Sequence, residues 1–237
     1  MSAARTKTTT NPWLGIPADD YEGHMGPDWA DQLAPLSEIF ADVYRDTRPA
    51  RLALLGCATG NGLEHVDPAI TTRAIAVDVN PEYVARARAR HQALGSVLDV
   101  RCADVCACEL TSGSLDLIHA ALIFEHVDAP LLAARIATWL APGGTCAVVL
   151  QVDGVDDGST RAPAPAPAPA PVMSSPFRSI ASLGASMRML SPARLAELLG
   201  QHGLRQRRRW TVPVKNHKRF EVALFGAVAT PSPSPFV

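Results

Sequence analysis

Residues 52–66 read LALLGCATGNGLEHV, and this stretch constrains the fold more than any other. An apolar run stops at Gly56, glycine returns at Gly60 and Gly62, and a helix-like sequence then begins. A parallel strand that ends in such a turn and feeds a helix brings backbone N–H groups to a helix N-terminus, where missing side chains let a ligand touch the main chain. The reading is therefore a strand over 51–55, a glycine turn, and a helix from Asn61 to Val66.

The same alternation continues along the chain. A helix over 28–46, started or kinked at Pro35, precedes the first strand. Short apolar strands are predicted over 74–79, 97–102, 115–120 and 145–152. Helices are predicted over 82–94, with Asn80 as N-cap and Pro81 as first helical residue, and over 128–140, closed by Pro142 and Gly143-Gly144. Strands alternating with helices imply a parallel sheet covered on both faces. Residues 153–172 interrupt the pattern with Ala-Pro pairs, which favour extended polyproline II. A helix opened by Ser191-Pro192 and ended at Gly203 follows. Residues 204–214 and 219–227 then read as an antiparallel hairpin. The organisation expected is one domain over 13–229, between disordered tails at 1–12 and 230–237.

Composition bounds the partners. The chain has 237 residues, a formal net charge of −1 and 47% hydrophobic residues, enough for a sizeable core and without the basic excess of a nucleic-acid or membrane-surface binder. Five cysteines, an odd count, and no secretory apolar segment point to a reducing compartment. No apolar run approaches the ~20 residues of a membrane span. A cytoplasmic protein is expected. Arg5, Lys7 and the threonines near them leave a transit segment open, although the amphipathic apolar face of one is missing. Cys102, Cys106 and Cys108 lack paired zinc spacing and a nearby histidine, so no metal is expected.

Two ligand classes use a bare strand-to-helix turn: phosphate-bearing cofactors and S-adenosylmethionine. The Gly-Lys-Ser/Thr ending of a P-loop is missing, and Ala58 breaks the dinucleotide pattern. The turn, with the ordered motifs over about 50–150, resembles the class I S-adenosylmethionine-dependent methyltransferases of the small-molecule type. Their turn runs roughly acid-x-Gly-x-Gly-x-Gly. The resemblance implies a doubly wound α/β fold: a mostly parallel seven-stranded sheet with an antiparallel last strand and helices on both faces. It implies S-adenosylmethionine as cofactor, held by Gly56, Cys57, Ala58, Gly60 and Asn61 of the turn. Asp78 and Val79 after the second strand would take the ribose, and Asp104 and Val105 after the third the adenine. Turn or cap roles are the alternatives for both aspartates. Leu54 stands where the family often has an acid, so another group must hold the amino-acid end, or binding is weak.

Methyl transfer needs an aligned nucleophile, excluded water and sometimes a base. Glu125 and His126, just past the fourth strand, are the candidate base pair, with a helix cap as the alternative. His119, inside that strand, reads as a satisfied core histidine. Tyr21 and His24 lie in a polar-aromatic segment that in related enzymes forms a lid, here 13–48. Ser174, Ser175 and Phe177 fall where substrate loops are common. The basic run RQRRRW (205–210) reads as a solvated strand edge, alternate arginines facing water, with anion or RNA contact as the other use. The function implied is methyl transfer to a small molecule. The alternatives are an RNA or protein methyltransferase, a non-catalytic S-adenosylmethionine-binding protein and, last, a nicotinamide dehydrogenase.

Overall fold

The computed structural model describes residues 11–153, 176–184, 187–215 and 218–227. The Ala-Pro run, Ser174, Ser175, residues 1–10 and the C-terminal tail lie outside them. Asn11 and Pro12 do not belong to a tail: Pro12–Gly15 is a 3-10 turn whose first amides are capped by the Asn11 side chain.

Five α-helices follow in chain order: α1 Ala18–Met25, α2 Leu33–Thr47, α3 Pro81–Arg90, α4 Ala129–Trp139 and α5 Pro192–Gly200. Seven strands, β1 Arg51–Leu55, β2 Arg73–Asp78, β3 Leu98–Cys102, β4 Leu115–Ala121, β5 Leu140–Asp153, β6 Leu204–Val214 and β7 Lys218–Ala227, form one sheet in the order β3-β2-β1-β4-β5-β7-β6. β1 to β5 pair in parallel, and β7 runs antiparallel between β5 and β6. This is the architecture the strand–helix alternation implies.

The two faces follow from the period of two along each strand. On β1, Ala53 and Leu55 pack with α4 and α5 residues such as Leu132, Ile136, Trp139 and Leu198. Leu52 and Leu54 pack the other way, with Phe40 and Val43 of α2 and Val84 and Ala87 of α3. Each fully buried Leu, Ile or Val contributes about 1.5–3 kcal/mol, so the central strands read as unbroken apolar runs. The chain goes from β1 outward to β2 and β3, then returns to place β4 on the other side of β1. That reversal opens a crevice at the carboxyl ends of β1 and β4.

Two local expectations are corrected. The stretch after the glycine turn is not an α-helix but a 3-10 turn, Leu63–His65. Gly60 and Gly62 have φ of 94° and 98°, outside the right-handed helical region, and Pro68 follows too soon for a helix to start later. On β6, residues 205–209 are all exposed rather than alternately so. A register shift between Gln206 and Arg208 resets the alternation on this edge strand.

Candidate functional site

The crevice is a cavity of about 730 Å³. Its floor is the ends of β1, β2 and β4, with Leu54, Gly56, Asp78, His119 and Ala121 in its wall. Its roof comes from the N-terminal segment and from residues 180–184 and 187–189, including Trp13, Tyr21, Ile180 and Met187.

The turn after β1 holds its own amides. Gly56 and Cys57 N–H donate to the Val77 carbonyl at 2.9 and 3.0 Å, and Gly60 N–H to the Cys57 carbonyl at 2.8 Å. The glycines also serve packing. A Cβ on Gly56 would lie 2.9 Å from Ile123, one on Gly60 2.8 Å from His91, and one on Gly62 3.0 Å from Phe40. Free amides at a helix N-terminus therefore do not explain this turn. Gly60 faces His91 and Ala87 rather than the cavity. Gly56, Cys57, Ala58 and Asn61 do line it.

Asp78 is the junction. Its Oδ2 accepts from Ala58 N–H at 2.8 Å and its Oδ1 from Asn80 N–H at 2.9 Å. Burial pushes its carboxyl up, and the amides of Asn80, Ala58 and Val79 pull it back down. A carboxylate has about four lone-pair directions, so Asp78 keeps room for a further donor. Asn80 carries the connection further. Its Oδ1 caps α3 through Glu82 N–H at 2.9 Å, while its Nδ2 donates to the Trp13 and Ile16 carbonyls at 2.8 and 3.0 Å. The N-cap was legible in the sequence; the clamp on the N-terminal segment was not.

That segment is also held by charge. Arg86 meets Asp19 and Glu22 at 2.7 and 3.1 Å, and Arg90 meets Glu22 at 2.7 Å. Tyr21 lies against Tyr83 with ring centroids 5.2 Å apart, and Trp13 edge-on to His126 at 4.9 Å. Burial, then the nearby Asp78, keeps Tyr21 in its phenol form. The Tyr83 hydroxyl is buried with no hydrogen-bond partner.

The far end of the cavity has a different character. Glu125 and His119 are 4% and 5% exposed, and both line the cavity. Glu125 Oε2 and His119 Nδ1 have no hydrogen-bond partner, so His119 is not the satisfied core residue expected. Burial raises Glu125 to about 7, opposed by its own amide and that of Gln151. Burial lowers His119 and His126 to about 4 each. Near neutral pH the site thus holds two uncharged imidazoles and a carboxyl poised to take or give a proton. His24 lines the same cavity, its imidazole pKa pulled down by burial and then by Lys218. Sequence reasoning also missed the buried Gln32, whose Nε2 donates to Gln151 Oε1 at 2.6 Å inside the cavity. No local signal pairs residues so far apart.

Val79, Asp104 and Val105 line the opposite end. Asp104 Oδ1 accepts from Cys106 N–H at 2.7 Å, closing the turn after β3. Phe177 is not in the wall; its ring fills the space a Cβ on Gly23 would need. Among the described residues no group of three His, Cys, Asp or Glu could hold a metal ion. No described helix is long and apolar enough to cross a membrane.

Residues 54–144 match the family model described as a methyltransferase domain. Over this segment the chain is similar to the methyltransferase domains that the family model describes. Solved structures share its fold. The [4+2]-cyclase SpnF is 15% identical at a TM-score of 0.61, over 82% of this chain and 81% of that one. The N-methyltransferase NodS from Bradyrhizobium japonicum WM9 is 15% identical at 0.59, over 81% and 94%. The Burkholderia thailandensis 1,6-didemethyltoxoflavin-N1-methyltransferase, solved with its namesake ligand and S-adenosylhomocysteine, is 18% identical at 0.59, over 88% and 83%. No curated protein matches the chain. At these identities the neighbours share the fold with the methyltransferase domain; a cyclase and methyltransferases stand side by side on it.

The residues present fit the cofactor of such a domain. The Asp78 oxygens keep acceptor directions, the Tyr83 hydroxyl is an unpaired buried donor, and the wall between them is backbone and small side chains. Leu54 lines the cavity without any acceptor to offer.

Proposed function

We propose that the chain transfers a methyl group from S-adenosylmethionine to a small molecule. One observation carries this reading: a single roofed cavity runs from Asp78 and the turn after β1 to Glu125 and His119. Its about 730 Å³ falls within the range of about 300–1,000 Å³ usual for small-ligand sites. A macromolecular acceptor would need an open face, and here Trp13, Tyr21, Ile180 and Met187 close in on the cavity.

Asp78 would take the ribose hydroxyls, Val79 and Val105 would flank the adenine, and Asp104 would lie at its edge. Gly56, Cys57, Ala58 and Asn61 would border the amino-acid end through main-chain and small side-chain surface. When bound, the cofactor supplies an electrophilic methyl on a sulfonium. The chain's own groups do the rest: the roof excludes water, the walls align the acceptor, and Glu125 is placed to hold its proton. Within two residues of it, His126 is turned edge-on to Trp13 and serves the roof.

Calorimetric titration with S-adenosylmethionine, S-adenosylhomocysteine and NAD tests the reading. Micromolar binding of the first two with no NAD binding is expected. Tight binding of NAD alone would overturn it. Binding without turnover over a broad acceptor panel would favour the non-catalytic alternative.

A further inference from the structure

We propose that the methyl acceptor is a small organic amine, bound as its ammonium between Glu125 and His119 at the deep end of the cavity. This rests on the methyltransferase reading. Both side chains are more than nine-tenths buried, both line the cavity, and each keeps a polar atom that no protein group satisfies. Such atoms cost about 1–3 kcal/mol apiece unless a ligand pairs them. A buried carboxyl with one oxygen left without a partner is best repaid by a cation that donates hydrogen bonds. Trp13, Tyr21 and Trp29 line the same cavity, and aromatic rings attract an ammonium placed over their faces.

The other charged groups leave that end to the acid. His126 stands beside Glu125, His24 comes from α1, Asp78 ends β2, Asp104 follows β3, and Asp28, Lys215 and Lys218 also line the cavity. Lys215 is paired with Asp31 at 3.3 Å. Lys218 acts on His24, whereas burial, not any of these charges, dominates at Glu125 and His119. The step balances simply. The ammonium gives one proton to the Glu125 carboxylate. The freed nitrogen lone pair forms the N–C bond while the C–S bond of the sulfonium breaks, its electron pair staying on sulfur. The methylated ammonium leaves, and Glu125 releases its proton to water.

The test is binding to protein loaded with S-adenosylhomocysteine, using benzylamine, benzyl alcohol and benzoate as matched probes, with methylamine and tryptamine as smaller and larger amines. At about pH 8 at least one amine should bind roughly tenfold tighter than benzyl alcohol or benzoate. That preference should fall about tenfold by about pH 6, as Glu125 takes its proton. Glu125→Gln should abolish both the preference and the pH slope while S-adenosylhomocysteine still binds. His119→Leu should weaken the amine several-fold. Equal or tighter binding of the alcohol or benzoate, or no amine binding to loaded protein, overturns the amine assignment and leaves methyl transfer standing. Failure of S-adenosylhomocysteine itself to bind brings down both.

Discussion

Two turns border the cavity side by side, and they are built on opposite terms. After β1, the amides of Gly56, Cys57, Ala58 and Gly60 are all paired within the protein. After β4, the backbone is just as well paired, with Leu122 N–H on the Val149 carbonyl and His126 N–H on the Ile123 carbonyl. Yet the side chains of Glu125 and His119 are left with unpaired buried atoms. The first turn is a finished frame, which a ligand meets as a shaped surface. The second carries unmet hydrogen-bonding capacity, and its chemistry is completed by whatever enters. A fold tolerates such unmet groups only at a few positions, and here these two share one chamber with a third, the Tyr83 hydroxyl.

The largest expected effect comes from breaking the frame. Asp78→Ala leaves the Ala58 and Asn80 amides without their acceptor, and it removes the proposed ribose contacts. Stability should fall by about 2–3 kcal/mol in urea unfolding, and S-adenosylmethionine affinity by about a hundredfold in calorimetry. Unchanged affinity would show that the frame does not touch the cofactor. Next comes the second turn. Glu125 holds its proton in the folded state up to about 7, well above the unfolded range, so its burial favours folding at low pH. That advantage is lost as pH rises through 7. Glu125→Gln should therefore stabilise the protein by about 3 kcal/mol near pH 8 and by nearly nothing near pH 4. The same unfolding measurement at both pH values checks it, and a loss at pH 8 would mean that the acid is paired after all. His119 and His126 act with the other sign. Lowered to about 4, they cost stability as pH falls below their unfolded value near ~6.5. The smallest effect tests the link between frame and roof. Asn80→Ala should cost about 1–2 kcal/mol through the lost cap. It should also speed hydrogen exchange at the amides of residues 13–21, while protection in β1 and β2 stays as it was.

The sheet was legible because its signals are local. Each central strand is an apolar run, and three of the five helices start at a side-chain cap, Asn80, Asp128 and Ser191, each with Pro in the first turn. The glycine turn was read correctly as a turn and wrongly as a helix entrance, because the strain at Gly60 and Gly62 answers to His91 and Phe40. Those partners are some 20–30 positions away. Most of the residues expected at the site do line the cavity. What stayed hidden was polarity decided by distance: His119 looks like any histidine in a strand, and only the packed sheet shows that its Nδ1 meets nothing. The Gln32–Gln151 bond and the Asn80 clamp are likewise products of the tertiary fold.

Phe177 lies where a side chain at position 23 would have to be, and the Ser179 hydroxyl donates to Asp20. Two stretches more than 150 residues apart in the sequence thus pack together beside the cavity, and the Gly23–Phe177 contact is the seam between them. Any bulk added at residue 23 wedges that seam ajar, turning a guarded chamber into a leaky one without touching a single group inside it.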